Sequence, residues 1–413
     1  MKKSKPFYGW FALTGVVLVT LLVGGAFINA FGVFLPVFSD EFGWSRADIS
    51  LALSLGILAF GLPSMLFSTM VNKYGARFTI VVGNLLAAFG VAALFFVKDI
   101  WLLYLLYIFI GITAGFGGYI ACTTVANNWF VKKRSLAMSL VSSATGIGGL
   151  VFPPVVTALI KGITWQGTWL VLGGVVALTA IFAGGLLVRN RPEDMGQEPD
   201  GIKTSPDLTP EQLSAKSQPV AAWSMSRILK MPVTWLILGF VVANAFSMGA
   251  VNAHQIAYFK DIGFDAMTAA GTMSVMSVFS LTGSLAFGAL ALKINMRYLA
   301  SAGLVSQFIG LILLLSTKNL TLLFVYAGFM GLGVGALFAA MPSFLGAYYP
   351  REHYAQVTGV VLPFHVVAQA VSSWAVGSIY DATGKYTIAF LILGICVMGG
   401  SVCAYFAKQP KNI

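Results

Sequence analysis

The chain has 413 residues, of which 58% are hydrophobic and only 9% are charged, and its mean hydropathy is +0.86. A soluble fold of this length would need far more polar surface, so the composition excludes a soluble globular protein and indicates an integral membrane protein. The net charge of +11 would point to a nucleic-acid partner only if it formed a basic surface outside the membrane, and no stretch is basic enough for that.

Twelve apolar stretches are long enough to cross the ~30 Å hydrocarbon core, which takes roughly 20 helical residues. In chain order the predicted spans are 9–37, 48–70, 78–97, 101–124, 135–160, 167–188, 233–259, 265–292, 298–316, 320–344, 353–379 and 385–407. The first follows a basic N-terminus that resembles a signal peptide, but no small-residue cleavage site follows it, so we interpret it as a retained helix. The predicted fold class is an all-α membrane protein.

A polar segment from Arg189 to Lys230 divides the spans into six and six. It contains five prolines, six Lys or Arg and six Asp or Glu, so we predict a solvent-exposed linker between two hydrophobic halves. The predicted domains are 1–188, a cytoplasmic linker over 189–231, and 232–413. The end of the linker places four apolar side chains on one face, which suits a short helix on the membrane surface: Trp223, Met225, Ile228 and Leu229. An irregular segment up to Pro232 is the alternative.

Positive charge is distributed unequally over the connections between the spans. If the N-terminus is cytoplasmic, 19 of the 25 Lys and Arg lie on the cytoplasmic side and 6 lie on the other side. This asymmetry predicts that both termini are cytoplasmic. The net charge is therefore mostly a signal of topology.

Three cysteines lie inside predicted spans: Cys122, Cys396 and Cys403. Their separation gives neither metal-ligand spacing nor a disulfide framework. The spans also contain no constellation of a nucleophile, paired carboxylates or metal ligands. We therefore predict no metal, no cofactor and no enzymatic activity.

Two short patterns recur between the halves. An Asn-Ala pair at 29–30 recurs at 252–253, and an aromatic pair at 129–130, which precedes a basic run, recurs at 348–349. The similar offsets, 223 and 219 residues, indicate a parallel duplication. Such an architecture places a solute site between the halves near the bilayer midplane.

The loop between the second and third spans reads STMVNKYGAR from Ser68 to Arg77. It resembles the G-x-x-x-D-R-x-G-R-R motif of the major facilitator superfamily, and a weaker copy follows the eighth span at 288–297. The acid of the motif is absent from both copies. The resemblance implies the major facilitator fold, in which twelve transmembrane helices form two pseudo-symmetric six-helix halves.

Three further blocks resemble the monocarboxylate transporter family and its oxalate/formate antiporter relatives. They are YGW at 8–10, FGVFLPVFSDEFGWSRADIS at 31–50 and NNWFVKKRSLAMS at 127–139. This resemblance implies a monomeric secondary transporter of a small organic solute, located in the plasma (inner) membrane.

The basic run in the third block also has a direct interpretation. In a short connection, anionic headgroups would hold Lys132, Lys133 and Arg134, while Trp129 marks the interface. A gating role is the alternative for Arg134, together with three residues of the loop after the second span: Asn72, Lys73 and Arg77.

Members of this family carry charges at positions that are uncharged here. They usually have an arginine in helix 8, four residues before a glycine, and counting back from Gly288 gives Ser284; an acid one turn earlier falls on Ser280. The oxalate-type members have a lysine in helix 11, six residues after a glycine, and counting from Gly359 gives His365. The comparison therefore predicts no fixed positive charge in the bundle.

Two histidines remain as groups that could hold a proton inside the bundle. The family places a binding or proton-linked histidine in the part of helix 7 that contains His254. Polar groups at membrane depth face the bundle interior, and histidine titrates near physiological pH. We predict that His254 and His365 bind substrate and couple a proton. A packing role is the alternative for each, since Pro363 could leave His365 bonded to a free carbonyl.

Uncharged polar and aromatic side chains complete the predicted site. Tyr119 lies ten residues before Trp129, where the oxalate-type members carry a substrate-contacting tyrosine. The others are predicted from their place inside apolar spans, with helix packing as the alternative: Asn29, Asn252, Gln369, Ser280, Ser284, Thr123 and Phe338.

Two transport functions remain open. In the first, a small monocarboxylate enters with a proton, because an unpaired carboxylate in a low-dielectric cavity costs several kcal/mol and a protonated histidine would supply the missing charge. In the second, the missing arginine marks a neutral, zwitterionic or aromatic solute, held by Tyr119, the amides, Met273 and Met276. A non-transporting membrane sensor is a remote alternative. The predicted partners are a small solute, a proton and the lipid bilayer, without nucleic acid.

Overall fold

The computed structural model describes residues 7–201, 225–264, 266–316 and 319–410. In these ranges all regular secondary structure is helical. Eleven helices, or twelve when the bent second helix counts as one span, are long and apolar enough to cross a membrane. The predicted all-α membrane fold is confirmed.

The N-terminal half contains six helices, of which three are interrupted and one ends in a π-helical segment. They are α1 (Gly9–Gly24, the π-helical turn Gly25–Asn29 and Phe31–Phe42), α2 (Arg46–Gly61 and Ser64–Tyr74), α3 (Ala76–Ala93), α4 (Ile100–Gly117 and Tyr119–Trp129), α5 (Arg134–Gly162) and α6 (Trp165–Thr179 and the π-helical Ala180–Leu187).

The C-terminal half contains six helices that each run as one segment. They are α7 (Pro232–Asp261), α8 (Ala266–Leu290), α9 (Met296–Ser316), α10 (Leu320–Tyr348), α11 (Tyr354–Thr383) and α12 (Thr387–Phe406). We call the end of the bundle at which α7 begins and α6 and α12 end the linker end, and the opposite end the far end.

The interruptions of the first half have local causes. The two parts of α2 meet at 48°, where Pro63 lacks the backbone donor that would continue the helix. α4 breaks after Gly117, whose carbonyl oxygen accepts a hydrogen bond from the buried Asn84 Nδ2 at 3.0 Å. The freed backbone group is therefore satisfied inside the protein, as a membrane interior requires.

Four helices that begin at the far end start with a capping side chain. Ser45, Asp99, Thr164 and Asn319 each accept a hydrogen bond from the backbone N–H three residues later. These caps satisfy backbone donors that have no partner inside the helix.

Glycines allow the helices of each half to approach closely. Gly331 and Gly335 of α10 face the backbone of α8 at Met276 and Ser280, where a Cβ atom would collide. Gly115 of α4 faces Phe60 of α2 in the same way. Small residues at membrane helix crossings allow such close backbone contacts.

The two halves meet at the linker end. α5 of the first half packs on α8 and α10, and the linker-end part of α2 packs on α11. Ser64 Oγ of α2 donates to the Gly359 carbonyl oxygen of α11 at 2.9 Å, and a Cβ atom on Gly359 would collide with Ser68. Small and hydroxyl side chains thus join the halves.

The first part of the linker is attached to the N-terminal half. Trp129 Nε1 donates to the Arg189 carbonyl oxygen at 2.9 Å, and the Asp200 carboxylate accepts from the backbone N–H groups of Val131, Lys132 and Lys133 at 2.9, 2.6 and 3.3 Å. These donors precede α5, where a carboxylate is favoured by the unpaired N–H groups and the helix dipole. This part of the linker is held by hydrogen bonds rather than free in solvent.

The end of the linker forms a six-residue helix, Met225–Lys230, with Ile228 buried. Of the two alternatives for this segment, the structure contains the short helix. Trp223 lies outside the described residues.

Candidate functional site

The predicted site residues fall into three groups by depth, at 1.5 Å per helical residue from the linker end. Five lie about 15 to 22 Å deep, near the middle of the bundle: Tyr119, Ser280, Phe338, His365 and Gln369. Thr123 and Ser284 lie about 9 Å deep, and the remaining three lie about 30 Å or more from the linker end: Asn29, Asn252 and His254. The structure therefore does not bring all predicted residues together.

Ser284 lies in the contact between the halves. Ser143 Oγ of α5 donates to Ser284 Oγ at 3.3 Å, and Ser284 Oγ donates to the Ser139 carbonyl oxygen at 3.2 Å. Its side chain is 3% exposed. A long cationic side chain at this position would have to displace α5, so the small serine allows α5 and α8 to close.

Phe338 also joins the halves, through its backbone. Ser142 Oγ of α5 donates to the Phe338 carbonyl oxygen at 3.0 Å. Ser280 belongs to the contact between α8 and α10, where its backbone faces Gly335. The contacts between the halves therefore extend from the linker end to at least about 15 Å depth.

His254 is bonded inside the C-terminal half. Its Nε2 lies 2.8 Å from the Ser373 carbonyl oxygen of α11, and its Nδ1 lies 3.4 Å from Tyr386 Oη at the start of α12. Both ring nitrogens thus have a protein partner.

His365 is half-buried in α11, and its Nδ1 is buried without a hydrogen-bond partner among the described residues. The next residue, Val366, packs on Gly61 at the bend of α2. His365 thus lies beside the place where α11 meets the other half. A buried polar atom that lacks a partner in one state of a protein is costly unless a ligand, water or proton satisfies it.

Tyr119 begins the second part of α4 and is half-buried. Thr123 is fully buried, and its Oγ1 donates to the Tyr119 carbonyl oxygen at 2.7 Å. Such a bond within one helix satisfies the hydroxyl locally. This part of α4 packs on α11, so it faces the other half.

The three predicted amides differ in their surroundings. Asn29 lies on the π-helical turn of α1, where its Nδ2 donates to the Thr145 carbonyl oxygen of α5 at 3.5 Å. Asn252 and Gln369 are half-buried, and the Gln369 backbone packs on Gly249 of α7. A π-helical turn inside a membrane helix frequently accompanies a functional position.

Arg134 crosses between the halves. Its Nη1 donates to the Gly346 carbonyl oxygen of α10, while its Nε is buried without a partner among the described residues. The sequence favoured a headgroup contact, but the side chain is turned inward from the first residue of α5. A permanent cation therefore lies between the halves at the linker end, although none lies at the family's helix 8 or helix 11 positions.

The other three predicted gating residues do not contact the C-terminal half in this way. Arg77 donates through Nε and Nη2 to the Gly185 carbonyl oxygen of α6 at 3.1 and 2.5 Å, so a backbone carbonyl replaces the missing acid of the motif. Asn72 and Lys73 are exposed, and Lys73 Nζ lies 5.1 Å from the Tyr74 ring centroid.

Arg351 connects both halves and the linker, a role that the sequence did not reveal. Its Nε donates to Asn128 Oδ1 at 3.1 Å, and its Nη1 forms an ion pair with Glu193 at 2.9 Å. Asn128 Nδ2 in turn donates to the Asn190 carbonyl oxygen at 3.1 Å. The amide pair that precedes the basic run in the 127–139 block was the available signal.

The Glu193 carboxyl remains ionised at neutral pH. Burial by itself raises the pKa of Glu193, but the hydrogen bonds that it accepts from Arg351 and from its own backbone, together with the charges of Arg351 and Arg191, outweigh burial, so the pKa is lowered. A carboxyl with a lowered pKa contributes its ion pair above the ordinary value of about 4.3, and the contribution disappears as the pH falls through the lowered value. The pair is therefore complete at neutral pH and cannot serve as the proton carrier there.

We expect Glu193→Gln to weaken closure of the linker end only slightly. The pair is partly exposed, so its loss should change the equilibrium between a closed and an open linker end by less than about fivefold. Reactivity of a cysteine at Ser142 towards a maleimide measures that equilibrium. Glu352→Gln, which removes an exposed acid next to Arg351 in the chain, is the control. A change above tenfold would contradict this view of the pair.

The sequence also missed two polar pairs inside the C-terminal half. Gln307 Nε2 of α9 donates to Asn244 Oδ1 of α7 at 2.8 Å, and Tyr326 Oη of α10 donates to Gln255 Oε1 of α7 at 2.8 Å. All four side chains are buried. Such pairs join membrane helices, and no local pattern identified the partners.

A family model described as the Major Facilitator Superfamily matches residues 16–305 and 273–413. Monocarboxylate transporter 12 of Rattus norvegicus is 26% identical to this chain, over 98% of the chain and 86% of the relative. Monocarboxylate transporter 13 of Rattus norvegicus is 27% identical, over 95% of this chain and 87% of the relative. Monocarboxylate transporter 2 of Homo sapiens is 25% identical, over 96% of this chain and 84% of the relative.

Two solved structures share the fold. The proton:xylose symporter XylE aligns with a TM-score of 0.75 at 14% identity, over 98% of this chain and 97% of its own. FucP in the outward conformation aligns with a TM-score of 0.70 at 14% identity, over 97% of this chain and 100% of the FucP chain. At this identity the similarity concerns the fold alone.

Proposed function

Because this chain belongs to the Major Facilitator Superfamily, we propose that it is a secondary transporter that carries a small monocarboxylate together with a proton. The relatives are named monocarboxylate transporters, and their similarity extends over nearly the whole chain. They support this substrate class. The observation that carries the coupling is His365, whose Nδ1 is buried near mid-depth without a partner among the described residues.

Charge balance is the reason for the coupling. The position where the family carries a substrate arginine is Ser284, which is occupied by the α5–α8 contact. A carboxylate at mid-depth would then lack a permanent counter-charge, and an uncompensated anion there costs several kcal/mol. Protonation of His365 supplies a positive charge and a donor, so that anion and proton bind more tightly together than apart.

The halves alternate by rocking about the site. They now meet at the linker end, through α2 with α11 and α5 with α8 and α10, so solute reaches the site from the far end. If both termini are cytoplasmic, as the charge asymmetry predicts, this is the outward-open state. Arg134 and Arg351 close the cytoplasmic end in that state and must release their partners before the solute leaves.

A neutral or aromatic solute is the second candidate, favoured by the observation that Ser284 brings no charge to the site. The two candidates differ in proton movement. Uptake of a monocarboxylate into proteoliposomes should acidify the lumen by one proton per solute, as a pH dye would report. Uptake of a neutral solute without acidification would favour the second candidate and overturn the first.

His254 provides a matched test of which histidine carries the proton. We expect His254→Ala to lower Tm by about 2 to 4 °C, since it removes one or two hydrogen bonds, and to leave acidification per solute unchanged. Thermal unfolding in detergent and the pH-dye assay measure the two effects. Loss of acidification at an unchanged Tm would instead assign the proton to His254.

A further inference from the structure

A groove on the outer surface of the C-terminal half lies apart from the contacts between the halves. It runs between α9, α10 and α12 and has a volume of about 480 Å³. Tyr298 and Ile309 of α9, Phe329 of α10 and Tyr405 of α12 line it. Because these side chains are exposed on membrane-spanning helices, the groove faces the acyl chains of the bilayer.

The groove has the length of one leaflet. Its α9 wall repeats at helical spacing from Tyr298 through Ala302 and Val305 to Ile309, a rise of about 16 Å. That is about half of the ~30 Å hydrocarbon core. Ser306 Oγ, also in the wall, donates to the Phe329 carbonyl oxygen at 2.7 Å, so the wall offers an apolar surface.

Arg297 lies at the linker-end mouth of this groove. Its guanidinium carbon is 4.5 Å from the ring centroid of Tyr298 and 5.9 Å from that of Tyr405. Its Nη2 donates to Tyr298 Oη at 2.5 Å, and its Nε is buried without a partner among the described residues. Within the described part of the chain no carboxylate pairs with it, so its charge is not neutralised.

We propose that the groove binds one anionic phospholipid of the linker-end leaflet. One acyl chain lies along α9 as far as Ile309, and the phosphate accepts hydrogen bonds from Arg297 at the mouth. An apolar groove with a single cation at its interfacial end complements this ligand, because basic side chains at the membrane surface attract anionic headgroups. In a zwitterionic lipid a headgroup cation already offsets the phosphate charge, so the attraction to Arg297 is weaker.

The test compares lipids on the full-length, delipidated protein by native mass spectrometry. We expect one phosphatidylglycerol to be retained about fivefold more strongly than phosphatidylcholine with the same chains, because the choline cation of phosphatidylcholine offsets the phosphate charge that Arg297 would otherwise pair with. Arg297→Gln should remove this preference, and Ala302→Trp should block binding by filling the groove. Lys293→Gln is the control, because Lys293 is an exposed cation near the same end outside the lining.

Several results would overturn the proposal. Equal retention of the two lipids, or an unchanged preference in Arg297→Gln, would remove the headgroup contact. Binding of glycerol 3-phosphate as strong as that of phosphatidylglycerol would mean a phosphate site without an acyl groove. If the delipidated protein forms a dimer and Ala302→Trp dissociates it, the groove binds a second copy of the chain instead.

Discussion

Replacement of Arg134 by alanine should open the linker end of the transporter. In the closed state its Nη1 donates to the Gly346 carbonyl oxygen of the opposite half, and one charge-assisted hydrogen bond contributes roughly 1.5 to 3 kcal/mol. Its loss should shift the equilibrium away from this state by about 10- to 100-fold. If solute binds from the far end only in this state, as proposed, its apparent affinity there should fall in proportion to the fraction of protein that remains in this state.

The reporter for this prediction is a cysteine in place of Ser142, whose side chain lies at the contact with α10. With the native cysteines replaced by serine, its maleimide reactivity from the linker end should rise at least tenfold in Arg134→Ala. Lys132→Ala is the matched control, because Lys132 is exposed in the same connection. Equal reactivity in both variants would show that Arg134 does not hold the halves together.

Replacement of His365 by glutamine should separate solute movement from proton movement. Wild-type uptake should increase as the pH on the far side falls, because the protonated ring supplies the positive charge that a carboxylate needs. The variant keeps a polar side chain of similar size but cannot titrate. We expect its uptake to be independent of pH and its accumulation of solute to fall at least tenfold.

Counterflow distinguishes loss of coupling from loss of folding. Exchange of labelled for unlabelled solute requires no net proton movement, so His365→Gln should retain exchange while losing proton-driven accumulation. His254→Gln should retain both. If His365→Gln still acidifies the vesicle lumen during uptake, the proton passes through another group and the coupling proposed here is wrong.

The basic run Lys132, Lys133 and Arg134 illustrates what a local pattern leaves out. The sequence of the 127–139 block showed a basic run next to a helix start, and headgroup binding was the economical interpretation of all three cations. In the structure the three behave differently, since the side chains of Lys132 and Lys133 are exposed while Arg134 reaches Gly346. The partner lies 212 residues away, so no spacing within the block could identify it.

The histidines show the same limit. Both were selected because a titratable ring inside an apolar span is costly unless it faces protein. Only the helix packing distinguishes them, because His254 has a partner at each ring nitrogen and His365 has none at Nδ1. Their depths also differ by about 16 Å, so they do not form one site.

By itself the sequence determined the membrane class, the number of spans, the division into halves and the family resemblance. These properties depend on the length of apolar runs and on the positions of charges between them, and both are local. Which side of each span faces lipid, the opposite half or a neighbouring helix was decided only by the tertiary structure. In helices that are apolar on nearly every side, hydrophobicity does not distinguish the faces, and glycines and distant polar partners select the contacts instead.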